Sequence, residues 1–195
     1  MLYTGKGDDG TTKTFGCCDQ RISKSSAVAE ALGALDEVNS FLGVVKVSAH
    51  TQNAMAPGGD MCRPVSDTIN EVQQNLFIIQ AEVAGADKHI APEKVRAMEA
   101  AIDAIEKELP PITSFFVSGG TELAATLDFS RTLARRAERR VVGVADDPST
   151  SSGQGGTVIG KDTLAYLNRL SSLLYALARQ VNHKSGITEE PPTYR

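Results

Sequence analysis

Arg131, Arg135 and Glu138 follow one another at helical spacing within the run Ser130-Arg131-Thr132-Leu133-Ala134-Arg135-Arg136-Ala137-Glu138-Arg139-Arg140. The run is rich in Ala, Leu, Arg and Glu, which favour helix. At 3.6 residues per turn the three charged residues stack on one side. Leu123, Leu127, Ala134 and Val141 make a neighbouring apolar stripe, so the trio sits at the rim of a packed face. Arginine suits a planar, bidentate grip on carboxylate or phosphate. The alternative is a solvated charged face laced with i,i+4 pairs.

Two other stretches could work with that face. Residues 3–13, Tyr-Thr-Gly-Lys-Gly-Asp-Asp-Gly-Thr-Thr-Lys, combine glycine with threonine and lysine. Glycine lets backbone N–H groups approach an oxyanion, and threonine hydroxyls add donors. The spacing is neither a Walker A loop nor a dinucleotide fingerprint. Taken alone, the stretch reads as a flexible arm without regular helix or strand. Near the C-terminus, Asn168, Ser172, Tyr175 and Arg179 share one helical face, and that polar stripe is either solvent-facing or site-facing.

The elements that must position these groups follow from composition and periodicity. The chain has 195 residues, enough for one domain with a sizeable core. Aromatics make up 5% and Trp is absent, so the core is mostly Ala, Val, Leu and Ile, which suits close-packed helices. A net charge of −4 argues against a nucleic-acid partner, and the Arg cluster is a local positive spot suited to a small anionic ligand. Three cysteines, Cys17, Cys18 and Cys62, give no disulfide framework; reduced bystanders are expected, with a vicinal Cys17–Cys18 bridge as the alternative. No apolar run is long enough to span a membrane, and no signal or transit peptide follows Met1. The expected location is therefore cytoplasmic, or mitochondrial if a targeting segment was removed.

In chain order, a first helix is expected over about 26–49, with Val28, Leu32, Leu35, Leu42 and Val45 buried and Asp36 and Asn39 off that stripe. Residues 50–65, with Pro57-Gly58-Gly59-Asp60, read as a mobile loop. A second helix starts at an N-cap Ser66 or Asp67 and stops at Gly85. A third begins at Pro92 and ends before Pro110-Pro111, with Glu93, Glu99, Glu106 and Glu108 facing solvent. In Phe115-Phe116-Val117-Ser118-Gly119-Gly120, one Phe is expected in the core and the other elsewhere, where it could line a pocket; Thr121 caps the Arg-bearing helix. Residues 146–160 read as a disordered loop, residues 161–183 as the last helix, and residues 184–195 as an irregular tail. The expected fold is all-α: an up-and-down five-helix bundle, with no convincing strand.

Searches for other chemistry fail. His50, His89 and His183 lack metal-ligand spacing, the cysteines make no zinc site, and no nucleophile elbow or di-iron Glu-x-x-His pair is present, so no resident metal site is expected.

Three stretches together resemble one family, the PduO-type ATP:cob(I)alamin adenosyltransferases. They are Tyr3 to Thr12, Ala34-Leu35-Asp36-Glu37-Val38-Asn39-Ser40, and Ser130 to Arg140 followed by Tyr166-Leu167-Asn168-Arg169-Leu170-Ser171. The resemblance covers nearly the whole chain. It implies a single domain over 1–195, a homotrimer of ferritin-like bundles with active sites between subunits, and a nucleotide-binding arm over 1–25. It implies transfer of the 5′-deoxyadenosyl group of ATP to cob(I)alamin with release of triphosphate. The cobalt is the nucleophile, so the protein positions substrates and neutralises charge.

By motif, Thr4, Gly5, Lys6, Gly7, Thr12, Lys13 and Lys24 hold the phosphates, with Mg²⁺ bridging them. Arg135, Arg136, Glu138 and Arg139 complete the nucleotide site, with Asn168 from the last helix. Arg131 pairs with Asp36 across the subunit boundary. Phe115 shuts out cobalt's lower axial ligand, which eases reduction to Co(I), and Tyr175 lines the corrin site. A reductase and an adenosylcobalamin-dependent enzyme are implied as partners. The sequence departs from the family pattern at Gly5, Lys6, Ser118 and Ser172. Two other readings compete: another ATP-using transferase on the same bundle, or a non-catalytic helical oligomer binding ATP or an acidic partner through its Arg face.

Overall fold

A computed structural model describes residues 3–14, 21–58, 61–147 and 158–194. Cys17, Cys18 and most of the Gly/Ser-rich stretch at 146–160 lie outside the described residues. Five helices dominate: α1 (Ala27–Thr51), α2 (Val65–Val83), α3 (Pro92–Glu108), α4 (Glu122–Asp146) and α5 (Lys161–Lys184). Contacts between elements fix their directions. Glu30 and Glu37 of α1 meet Arg140 and Arg136 of α4, so those helices are antiparallel. Asp128 and Glu138 of α4 meet Arg179 and Asn168 of α5, again antiparallel. Glu99 and Glu108 of α3 meet Arg169 and Gln180 of α5, which makes that pair parallel. The result is the up-and-down bundle that the apolar periodicity demands.

Aliphatic side chains fill the interior. Leu35, Leu42, Ile69, Leu76, Leu127, Leu167 and Leu174 are fully buried, each worth about 1.5–3 kcal/mol of transfer free energy. The stripe Leu123, Leu127, Ala134 and Val141 is wholly inside, which leaves the arginines of α4 at its rim.

Helix ends follow local chemistry, with one exception. Ser26 Oγ accepts from Ala29 N at 3.3 Å, and Thr121 Oγ1 accepts from Ala124 N at 3.1 Å. Pro92 opens α3, and Gly85 follows α2 with φ +90°. The exception is the start of α2. The helix begins at Val65, straight after Pro64, so neither Ser66 nor Asp67 is its cap. Val65 N instead donates to Ala54 O at 2.8 Å, so a non-local carbonyl satisfies the free amide.

Strands are present where none was expected. β1 (Thr11–Lys13) pairs antiparallel with β2 (Arg21–Ser23), and β3 (Met55–Gly58) with β4 (Met61–Pro64). The glycine-rich arm is therefore partly ordered. Thr11 and Thr12 are β-branched, and Arg21 clamps the pair by donating to Thr11 Oγ1 at 2.5 Å and Thr11 O at 2.8 Å. Likewise the described part of 50–65 is not a mobile loop: α1 continues to Thr51, and Pro57-Gly58 ends a strand. The acids of α3 also divide. Glu93 faces solvent, Glu99 and Glu108 reach α5, and Glu106 edges a cleft.

One buried carboxylate organises the start of α5. Glu82, 2% exposed, accepts from Gly160 N at 2.7 Å and Thr163 Oγ1 at 2.5 Å, capping α5 from a neighbouring helix. His89 Nδ1 lies 3.1 Å from the same carboxylate. That hydrogen bond, chiefly, raises the His89 pKa above its usual 6.5. A raised folded-state pKa stabilises the protein fully below 6.5, and the benefit is lost as pH rises through the folded value. The Tm difference between wild type and His89→Gln is therefore expected to be largest at about pH 5.5 and to shrink by about pH 8. A difference that grows with pH would contradict this pairing.

Candidate active site

A cleft of about 730 Å³ opens between α3, α4, α5 and the irregular segment that links α3 to α4. Arg131 and Arg135 reach it from consecutive turns of α4, and Ser172 and Tyr175 from α5. Phe115 and Phe116 line the opposite wall. Phe115 is 77% exposed and Phe116 partly buried, so neither ring joins the core, contrary to expectation. The reason is the backbone: the segment from Leu109 to Thr121 is irregular and runs over the bundle's surface. Of the stripe on α5, Ser172 and Tyr175 line the cleft.

Beneath the cleft lies a network that sequence reasoning missed. Arg179 is 2% exposed and Asp128 3%, and Arg179 Nη2 donates to Asp128 Oδ2 at 2.5 Å. The Arg179 guanidinium sits 4.9 Å from the Tyr175 ring centroid and 5.9 Å from that of Phe116. Asp128 Oδ1 lies 3.6 Å from Arg131 Nε, which has no hydrogen-bond partner among the described residues. Within one protomer, then, the carboxylate beside Arg131 is Asp128. The signal was available: Ala124, Asp128, Arg131 and Arg135 repeat the i, i+4, i+7, i+11 spacing of Asn168, Ser172, Tyr175 and Arg179.

The other anticipated residues fall into two groups. Glu138 stands a turn beyond Arg135 and accepts from Asn168 Nδ2 at 2.9 Å, so these two are brought together. Arg136 turns the other way, to Glu37 on α1, and Arg139 is exposed. Asp36 is exposed on α1 and is not part of the cleft. The arm forms a separate cluster at the start of α1. Lys24 Nζ donates to Gly7 O at 2.7 Å, and Asp9 accepts from Thr11 N at 2.9 Å and Thr11 Oγ1 at 2.7 Å. The hydrogen bond from the Thr11 hydroxyl, above all, lowers the Asp9 pKa. Gly5 has φ +67°, a conformation that favours glycine. Thr4 and Lys6 are exposed, Thr12 sits in β1 opposite Ile22, and Lys13 edges a shallow apolar hollow with Phe77 and Leu32. None of the described arm residues lines the cleft of its own protomer.

Among the described residues, no group of three His, Cys, Asp or Glu side chains is placed to hold a metal. No helix among them is long and apolar enough to cross a membrane.

Paired arginines beside aromatic rings define a helical-bundle site that can hold an anion next to a flat, apolar ligand. The chain belongs to the cobalamin adenosyltransferase family, whose sequence profile matches residues 2–181. It is 36% identical over 199 residues to the corrinoid adenosyltransferase PduO of Salmonella typhimurium, covering 97% of this chain but 53% of that protein. The chain thus spans about half the length of that relative. It is 35% identical to the corrinoid adenosyltransferase of Bacillus subtilis, covering 95% of this chain and 89% of that one. The fold matches a variant of the PduO-type ATP:corrinoid adenosyltransferase from Lactobacillus reuteri complexed with cobalamin and ATP. That match has a TM-score of 0.83 at 28% identity, and it covers 100% of this chain and 97% of the other.

Proposed function

We propose that this protein transfers the 5′-deoxyadenosyl group of ATP to the cobalt of cob(I)alamin, giving adenosylcobalamin and triphosphate. The observation that carries the reading is the cleft: two arginines on successive turns of α4, facing Phe115 and Tyr175, in a chain whose fold matches the Lactobacillus reuteri variant complexed with cobalamin and ATP. In the reaction, Co(I) attacks the ribose C5′, the C5′–O bond breaks, and its electron pair leaves with triphosphate. No side-chain nucleophile is required. The protein's task is to align cobalt with C5′ and to offset charge on the departing phosphates.

Arg135 and Arg131 supply that positive charge, with Glu138 and Asn168 fixing the nucleotide beside them. Thr4, Gly5, Lys6, Gly7, Thr12, Lys13 and Lys24 form the phosphate-holding part of the arm, residues 1–25. Arg136 and Arg139 add charge nearby. Mg²⁺ would enter with ATP as part of the substrate and offset part of its phosphate charge. Phe115 blocks the lower face of cobalt, and Tyr175 supports the corrin ring.

Because the arm lies apart from its own cleft, the complete site forms between protomers of a homotrimer, where Asp36 of one subunit pairs with Arg131 of the next. Val44, Val47, Phe77 and Phe129 are large apolar residues left exposed on α1, α2 and α4, and an assembly of this kind would cover them. We place the enzyme in the cytoplasm. There a reductase must supply Co(I), and an adenosylcobalamin-dependent enzyme would take the product.

The test mixes protein, ATP, Mg²⁺ and chemically reduced cobalamin. Loss of the Co(I) absorption with stoichiometric triphosphate release is expected. ATP binding with an unchanged Co(I) spectrum would overturn the assignment.

A further inference from the structure

Residues just after α5 are tied into the cleft by side chains that the proposed reaction does not otherwise use. Glu189 Oε1 lies 3.0 Å from Arg179 Nε and accepts from Asn182 Nδ2 at 2.7 Å. Its side chain is 15% exposed. One residue on, Glu190 O accepts from Val117 N at 2.9 Å. Asn182 holds the same stretch from the other side: its Nδ2 donates to Gly119 O at 2.9 Å, and its Oδ1 accepts from Thr121 N at 3.0 Å. Gly120 fits only because it lacks a side chain, since a Cβ there would stand 2.4 Å from Asn182 Oδ1.

Charges alternate along the network: Glu189, Arg179, Asp128, Arg131. Arg179 is too deeply buried to be left unpaired, so its two carboxylates settle together around it. One of them sits beside the cleft arginine, and the other fixes the tail against the segment that bears Phe115.

We propose that Glu189 is a positioning residue of the adenosyl-transfer site: through Arg179 and Asn182 it holds the Phe115 segment and Arg131 in their working places. This inference rests on the function proposed above. The residue touches neither substrate, so its loss should change how the cleft is shaped and leave nucleotide capture by the arm intact.

The test compares wild type with Glu189→Ala and Glu189→Gln in the full chain. Glutamine keeps an acceptor for Asn182 but removes the charge that faces Arg179. Three readouts are taken. Hydrogen exchange of the Val117 amide reports the strap without any ligand, and Glu189→Ala should accelerate it by about tenfold. Steady-state kinetics should show kcat down by about tenfold with KM for ATP within about twofold, the glutamine variant falling between. The electron paramagnetic resonance spectrum of cob(II)alamin with ATP reports the lower axial nitrogen. Wild type should lose that coupling and Glu189→Ala should retain it.

Unchanged Val117 exchange in both variants would overturn the strap. Faster exchange with kcat and the cobalt spectrum unchanged would reduce Glu189 to a structural contact and overturn the positioning role. If Glu189→Ala does not fold, Glu189→Gln decides by the same three readouts. A wild-type chain inert towards cob(I)alamin would refute the parent reading and the catalytic half of this one, while the exchange measurement would still settle the strap.

Discussion

Arg135→Ala is expected to lower turnover by roughly 10²–10³-fold, the usual loss when one preorganised charge donor is removed from a reacting centre. The size of the effect follows from what Arg135 does in the protomer. It is exposed at the mouth of the cleft, and among the described residues no carboxylate lies within ion-pair distance of it. Its guanidinium therefore contributes little to folding, and the variant should keep its Tm within a degree or two of wild type. A negatively charged leaving group is its natural partner, so the loss should fall on kcat together with kcat/KM. Lys107→Ala is the matched control. Lys107 is an exposed cation at the end of α3 and does not line the cleft. Equal effects at the two positions would remove the case for the Arg face. Single-turnover measurement of Co(I) consumption is the direct assay.

Asp128→Ala should have the opposite profile: a large loss of stability whatever the ligand. The substitution leaves the Arg179 guanidinium, 2% exposed, with Glu189 as its one remaining carboxylate. Removing one partner of a buried pair costs about 3–5 kcal/mol, because the other charge stays desolvated. For a chain of this size that corresponds to a Tm lower by roughly 10 °C. A double replacement, Asp128→Leu with Arg179→Met, removes both charges and should recover part of the loss. Differential scanning calorimetry of Asp128→Leu, Arg179→Met and the double gives the coupling. If Asp128→Ala melts with wild type, the pair is not the anchor its burial implies.

The helices were legible because their apolar residues repeat at 3.6 and their ends are marked by Ser26, Thr121, Pro92 and Gly85. These signals are local, and local signals survive in a bare sequence. The strands were not legible. Thr11 pairs with Ser23, and Ala54 O meets Val65 N, across stretches whose composition reads as loop. What orders the first pair is a contact across it, from the Arg21 guanidinium of β2 to Thr11 of β1. Asp128 was missed for the same reason. Set between Leu127 and Phe129 it looks like an ordinary surface acid, and only Arg179, 51 residues on, makes it internal. The cleft arginines were singled out by helical spacing, the Phe pair by its two adjacent aromatics and Tyr175 by the polar stripe of α5, before the family motifs gave them roles. The network below them had no motif, only the matching stripes on α4 and α5.

The cleft has two unlike sides. On α4 and α5 its lining residues alternate with Leu127, Leu174 and Leu177, which are wholly interior, so a change of shape there disturbs the bundle itself. Across from them, Ile112, Thr113, Ser114 and Phe115 stand on backbone outside any helix, and all four are exposed. Under the proposed function, adaptation to a corrinoid with a different lower substituent would be written in the 112–115 stretch, and libraries aimed at altered cargo should be confined to it.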